Sequence, residues 1–581
     1  MLPRSNPPLD RRVYLISGLA VLVALAAGCV AQLLTWLISL ITNLAFHQRL
    51  DASSGSPAGN SLGLLVIIVP VVGGLVVGVM ARYGSRAIRG HGIPEAMEQI
   101  LLNESRIPWR LTFLKPLSAA IAIGTGGPFG AEGPIIATGG ALGSVLGQLV
   151  PVSAAERKTL LAAGAAAGMA ATFGSPVSAV LLAVELLLFE YRSRSIIPVA
   201  LAASVATAVR YAFVGSAPIF PMEHVLQPGA VALGSYVGLG AFMGVCAVLV
   251  TKLLYRVEDA FERLPVSWVW WPAIGGLVVG IVGYWSPRTL GVGYINIEET
   301  LRGDLVGVAL ATLCVAKLAS WVVALGSGTS GGTLAPLFTI GGAIGALVTT
   351  LAASVFPGHQ LDPRIGALVG MAAIFAGASR AMLASVVFAF ECTRQPIGLL
   401  PLLGGCTAAY CVSSLLMQNT IMTEKLARRG VRVGSEYQVD ELDVASVAAF
   451  ASRELVTVDG RMPVSEARAV LERTPHQGYP VLVGSVLVGV VSRASLLDPT
   501  LPESARVLDL VTRSPVVVFA DTTLREAADH MLLSDVGRVV VVDRGAAHLP
   551  IGILTRSDLL RAQRSSARTA LADPVEVPHP G

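Results

Sequence analysis

The sequence predicts an all-α, multi-pass membrane domain built from two repeats, followed by a smaller soluble α/β pair. Three observations predict it. Charged residues make up only 14% of the 581 residues, against about 25% in ordinary soluble domains. The deficit is confined to the part between Arg12 and about Gln418, where apolar runs recur. Several of them reach the roughly 20 residues that a membrane helix needs. Finally, one Gly/Pro-rich pattern occurs twice at a fixed spacing within that part.

Residues 1–12 carry Arg4, Arg11 and Arg12 and are expected on the cytoplasmic side, because basic flanks stay inside. The membrane domain is expected over 13–422. Its first apolar run, 13–46, contains Leu25-Ala26-Ala27-Gly28-Cys29, which resembles a lipoprotein signal. A signal core is only about 7–15 residues long, and this run continues well past Cys29, so no cleavage is expected. Further runs fill 61–80, 233–254, 268–284 and 305–325. Two stretches, 124–134 and 326–336, are instead cut by Gly and Pro. Irregular backbone at membrane depth is tolerated only inside protein or beside a water-filled cavity, so the broken stretches are where function is sought. Lys425, Arg428, Arg429 and Arg432 form a second basic flank on an expected linker, 423–444, which places both termini in the cytoplasm and the protein in the plasma membrane. The net charge of +4 leaves no nucleic-acid footprint. All six cysteines fall in the membrane part without metal-ligand spacing, so neither a metal site nor a disulfide is expected. No nucleophile, metal or cofactor motif points to an enzyme.

The repeat sets Pro134, Gly139 and Gly143 against Pro336, Gly341 and Gly345, each 202 residues apart (336 − 134 = 202). Gly168-Met169-Ala170-Ala171 returns at the same offset as Gly370-Met371-Ala372-Ala373. Each copy leads into an apolar helix with one acid, Glu185 and Glu391. The halves run over about 13–215 and 230–422. Duplicated transporters hold substrate at the repeat interface, on the ends of discontinuous helices. Small residues such as Gly139 and Gly143 also serve close helix packing. Packing alone does not account for a glutamate between glycines.

Three segments have the form of a helix start that meets an anion: Gly90-His91-Gly92-Ile93-Pro94, Gly130-Ala131-Glu132-Gly133-Pro134, and Gly331-Gly332-Thr333-Leu334-Ala335-Pro336. A helix N-terminus offers unpaired N–H groups and about half a positive charge, Gly lets backbone approach an ion, and Pro suits the first turn. Glu132 would occupy such a site as a tethered anion and leave it on protonation, which makes it both gate and proton acceptor. The alternative is a structural acid paired with Lys115. The counterpart of Glu132 at offset 202 is Leu334, so the halves differ at the gate.

At these motifs the sequence resembles the CLC chloride channel and transporter family, from about residue 13 to 435. The resemblance implies the CLC fold of inverted repeats, a homodimer with one pore per subunit, chloride or a similar small anion as cargo, protons at Glu132, and voltage-gated chloride channel activity in some members. It also implies an anion-binding set of His91, Gly92, Ile93, Pro94, Gly130, Ala131, Gly133, Pro134, Gly332, Thr333, Leu334 and Met422. Two positions depart from the family: His91 stands where a coordinating Ser is usual, and Met422 where a coordinating Tyr is usual. His91 can donate a hydrogen bond, or can be a packing or capping residue. A third departure concerns coupling. Antiporters of the family commonly carry an inner relay glutamate at the position of Leu186, one residue after Glu185. Leu carries no proton, and Glu185 points about 100° away around a helix. Channel-like, uncoupled conduction is therefore expected, with a chloride/proton antiporter as the alternative. A divalent-cation transporter linked to a soluble regulatory pair is the rival of another class, and would need several converging membrane acids.

The soluble part holds two similar halves, expected over 445–500 and 501–565, each reading strand, helix, strand, strand, helix, with a disordered tail over 566–581. It resembles a tandem CBS pair, which in the family implies dimer contact and often adenine-nucleotide binding. Thr555 and Asp558 match a ribose-contacting pair, whereas the first half has Ser492 and Ser495. A helix cap explains Thr555 and Asp558 equally well.

Overall fold

The computed structural model describes residues 11–570 apart from 54, 224, 432–441, 443–444, 475, 503 and 544–545. Most of the expected linker, residues 1–10 and residues 571–581 lie outside the described residues. The chain divides into a membrane unit and a C-terminal unit.

The membrane unit is helical, and its helices fall into two sets of matching order. The first is α1 (Arg11–Thr42), α2 (Ile68–Tyr83), α3 (Ile93–Leu102), α4 (Leu111–Gly124), α5 (Glu132–Leu149), α6 (Ala154–Phe173), α7 (Pro176–Ala183) and α8 (Ser193–Val214). The second is α9 (Ala230–Glu262), α10 (Trp271–Trp285), α11 (Tyr294–Arg302), α12 (Gly307–Gly326), α13 (Leu334–Val355), α14 (Pro363–Ser379), α15 (Met382–Thr393) and α16 (Leu399–Leu416), with a short α17 (Glu424–Arg428) behind it. Seven described helices are long and apolar enough to cross a membrane; α4, α7, α10, α14 and α15 are apolar but shorter. The two Gly/Pro-cut stretches, 124–134 and 326–336, fall at the breaks between α4 and α5 and between α12 and α13.

Close packing follows from the glycines. A Cβ on Gly139 of α5 would lie 2.1 Å from the Gly164 carbonyl of α6, and one on Gly341 of α13 would lie 2.5 Å from the Gly370 carbonyl of α14. Gly143 and Gly345 repeat the relation at 2.0 Å from Leu160 and 2.1 Å from Gly366. The two halves meet at their helix starts. Gly130 N–H donates to Gly332 O at 3.3 Å, and Gly332 N–H donates to Gly130 O at 2.9 Å. These residues are counterparts (332 − 130 = 202), so the reciprocal pair marks the axis that relates the inverted repeats.

The C-terminal unit contains α18 (Val447–Phe450), β1 (Val458–Asp459), α19 (Val464–Glu472), β2 (Gly478–Val483), β3 (Val486–Ser492), α20 (Arg493–Leu496), β4 (Val517–Phe519), α21 (Leu524–Leu533), β5 (Arg538–Asp543), β6 (Ala546–Thr555) and α22 (Arg556–Ala570). Each half is a three-stranded sheet in which the first strand pairs parallel and the third antiparallel to the middle one. The halves exchange their leaders. Val447 lies in the core of the second half, with Val447 N–H on Thr522 O and paired bonds between Ser452 and Ile553. Val507 lies in the core of the first, with its N–H on Met462 O. α22 continues to Ala570, past the expected start of a disordered tail at 566, because no Gly or Pro interrupts residues 556–573.

Candidate functional site

The three expected helix starts come together. Gly90 N–H bonds Thr329 O at 3.2 Å and Gly331 N–H bonds Gly90 O at 3.4 Å, joining the first loop to the third. Contact between the first and second is equally close: a Cβ on Gly92 would lie 2.3 Å from Gly133 O, and one on Gly133 would lie 2.0 Å from His91 O. At Gly331 an added Cβ would strike the buried Phe129 ring at 2.2 Å. Glycine is required at these positions because three backbones pass through one point.

Not every expected donor is free there. The Gly92 N–H is bonded to the Glu95 carboxylate at 2.6 Å, inside the capping arrangement of α3. Glu95 is held in turn by Lys425 at 2.8 Å. The N–H groups of Gly130 and Gly332 serve the bridge between halves. The N–H groups of Gly92, Gly130 and Gly332 are therefore all taken up by protein acceptors in this structure. Ala131, Gly133, Pro134, Thr333 and Leu334 lie buried at or beside the first turns of α5 and α13, and Ile93 and Pro94 at that of α3. Met422 is fully buried on the turn before α17, where its N–H donates to Thr420 Oγ1 at 3.2 Å.

Glu132 opens α5 with no exposed surface. Its Oε1 accepts a hydrogen bond from the Tyr294 hydroxyl at 2.7 Å. Its Oε2 has no direct partner among the described residues and lies 3.0 Å from where a Cβ on Gly332 would sit. The carboxylate thus folds back over the junction of the α5 and α13 starts. Lys115 is not its partner. The Lys115 ammonium donates to Ile88 O and Gly90 O at 2.8 and 2.9 Å and fixes the loop before α3. Lys317, its counterpart at offset 202, donates to Thr289 O and Gly291 O at 3.0 and 2.9 Å and fixes the loop before α11.

His91 is buried, with an unpartnered Nδ1, on the wall of a cavity of about 680 Å³. Arg86, Arg89, Lys425 and Arg428 line that cavity together with Glu95 and Glu258. Leu186 is buried within the helical turn Val184–Leu188 that extends α7. Glu185 is engaged: its two oxygens accept the N–H groups of Leu383 and Ala384 at 3.0 and 3.1 Å, at the start of α15. Glu391 returns the contact to Val177 and Ser178 at the start of α7.

Sequence reasoning missed Tyr294 and Lys317. A signal existed, because Gly90-His91-Gly92 recurs as Gly291-Val292-Gly293 at an offset of 201 (291 − 90 = 201), one residue short of the main repeat.

In the C-terminal unit, Thr555 lines a cleft of about 360 Å³ with Arg538, Arg556, His476 and Glu454. Burial holds the Arg538 guanidinium below its ordinary pKa. Asp558 accepts both the N–H and the hydroxyl of Thr555, at 2.9 and 2.7 Å, which is a cap on α22. Ser492 and Ser495 form the simpler equivalent on α20.

Comparison with known proteins agrees with this architecture. The family model described as voltage gated chloride channel matches residues 72–414, and the CBS domain model matches 445–499 and 507–565. The chain is 30% identical over 347 residues to the H(+)/Cl(-) exchange transporter ClcA of Vibrio parahaemolyticus, 58% of this chain and 74% of that one. It is 29% identical over 533 residues to chloride channel protein CLC-f of Arabidopsis thaliana, 87% of this chain and 64% of that one. The solved structure titled "X-ray crystal structure of a slow cyanobacterial Cl-/H+ antiporter" superposes with a TM-score of 0.64 at 22% identity, covering 72% of this chain and 98% of that chain. The chain belongs to the CLC family of anion channels and transporters and carries a C-terminal pair of CBS domains.

Proposed function

We propose that this protein moves chloride or a similar small anion across the plasma membrane, along a path that Glu132 closes when ionised and opens when protonated. The observation that carries this reading is a fully buried carboxylate at the junction of two helix starts, with one oxygen unpaired. A helix N-terminus attracts an anion, and the carboxylate is the anion already tethered there. His91, at the inner cavity, supplies a donor where the family usually has a hydroxyl, and Met422 supplies none. The protein acts as a homodimer with cytoplasmic termini.

The test is chloride efflux from proteoliposomes across a pH series. Wild type is expected to speed up as pH falls. Glu132→Gln and Glu132→Ala are expected to be fast at every pH; pH dependence retained in both would remove Glu132 from the gate.

Two modes of coupling have support. Leu186 and the engaged Glu185 favour uncoupled conduction, since neither offers a mobile proton site. The exchange activity in the name of the Vibrio relative favours a chloride/proton antiporter. For the CBS pair, the basic cleft around Arg538 and Arg556 supports adenine-nucleotide binding. Titration of the full-length protein with ATP should give saturable heat that Arg538→Ala weakens; no heat with wild type would exclude it.

A further inference from the structure

Glu132 has one side-chain partner that the repeat pattern placed there and the anion path does not otherwise require. Tyr294 begins α11 directly after Gly291 and Gly293, whose φ angles are +67° and +80°. Lys317 holds the carbonyls of Thr289 and Gly291, and Asn296 Nδ2 donates to Arg288 O at 2.8 Å, so the approach to Tyr294 is fixed on both sides. The ring is held edge-on by Phe173 and Phe220, each with its centroid 5.9 Å away. Phe173 itself packs against Phe388 at 4.8 Å. A phenol braced in this way has little freedom, and its hydroxyl is aimed at one carboxylate oxygen.

We propose that Tyr294 is a positioning residue that latches Glu132: its hydroxyl holds the ionised carboxylate over the helix-start junction, lets go when the carboxylate takes a proton, and so sets the acidity at which the anion path opens. This rests on the reading of Glu132 as the gate. The chemistry is a difference between two hydrogen bonds. An O–H donated to a carboxylate is charge-assisted and roughly twice as strong as one donated to a neutral acid. The latch therefore favours the closed, ionised state. No proton passes through Tyr294, and no bond other than hydrogen bonds changes. The other titratable groups acting on the pair are Lys317 on α12 and Cys392 on α15. Lys317 is committed to the two carbonyls and stays in place when Glu132 moves.

The test compares wild type with Tyr294→Phe, with 3-fluorotyrosine at position 294, with Glu132→Gln and with the double variant, all full-length and reconstituted, by chloride flux across a pH series. Phe keeps the ring packing and removes the donor. The midpoint of the pH dependence should move to higher pH by about one unit, a roughly tenfold change in the proton concentration required. Fluorotyrosine keeps the ring and is the stronger donor, so its midpoint should move the other way. Tyr294→Phe should add nothing to Glu132→Gln. Thermal unfolding of each variant separates a lost latch from a damaged fold, and the fluorotyrosine protein gives the answer if the Phe variant does not fold. An unchanged midpoint in folded Tyr294→Phe, shifts in the same direction for both ring variants, or additivity with Glu132→Gln would overturn the latch. If Glu132→Gln keeps its pH dependence, the gate itself is wrong and the latch falls with it.

Discussion

A carboxylate beside a helix start is stabilised by the free N–H groups there, and α7 and α15 each provide one for the other. Glu185 caps α15 while Glu391 caps α7. The partners of Glu185 lie 198 and 199 residues away in the chain, which is why spacing along the helix could not reveal them. Their symmetry does show in the numbering, at an offset of 206 (391 − 185 = 206), but only once the contacts are known. The placing of Glu132 at a buried helix start, in contrast, was legible from its neighbours, because Gly133 and Pro134 mark a first helical turn. Glu185→Ala should lower the stability of the detergent-solubilised protein by roughly 1–2 kcal/mol, the usual loss on deleting a cap. The same variant should keep the wild-type pH profile of flux. A shifted profile with unchanged melting would return Glu185 to the proton pathway.

At the scale of elements, the order of helices follows from small residues at two crossings. The offset of 202 picked out Gly139, Gly143, Gly341 and Gly345, and all four sit where a carbonyl of the facing helix leaves no room for a Cβ. Periodicity could not locate the short loop before α11, because the second repeat has one extra residue between its Gly-x-Gly loop and Lys317 (317 − 291 = 26 against 115 − 90 = 25). The exchanged leaders of the CBS halves were hidden for a similar reason: Val447 and Val507 read as apolar residues of their own halves and pack in the other. Gly143→Ala should destabilise the membrane unit by about 1–3 kcal/mol, the range for overpacking. Gly234, on the exposed face of α9 with open space around it, serves as control. Gly234→Ala should be neutral or slightly stabilising, since it gains helix propensity and meets nothing. Equal melting shifts for the two would mean that the α5–α6 crossing tolerates a methyl group.

For the whole molecule, the question is whether two sites can exchange a proton across the membrane unit. On the proposed reading the gate end is equipped, with Glu132 bonded to Tyr294. The inner end lacks the expected acid: Leu186 is buried and apolar, and Glu185 is bound to α15. Carboxylates do line the cavity beside His91, among them Glu95 and, on α9, Glu258. With a chloride gradient imposed across proteoliposomes and no proton gradient, the expected result is chloride flux with no proton movement once a potassium ionophore clamps the voltage. Protons driven uphill would overturn uncoupled conduction and would require an inner acceptor other than residue 186. Glu258 then becomes the group to change: Glu258→Gln should stop the proton movement and spare the chloride flux, whereas pumping that survives in Glu258→Gln would remove Glu258 from the proton pathway.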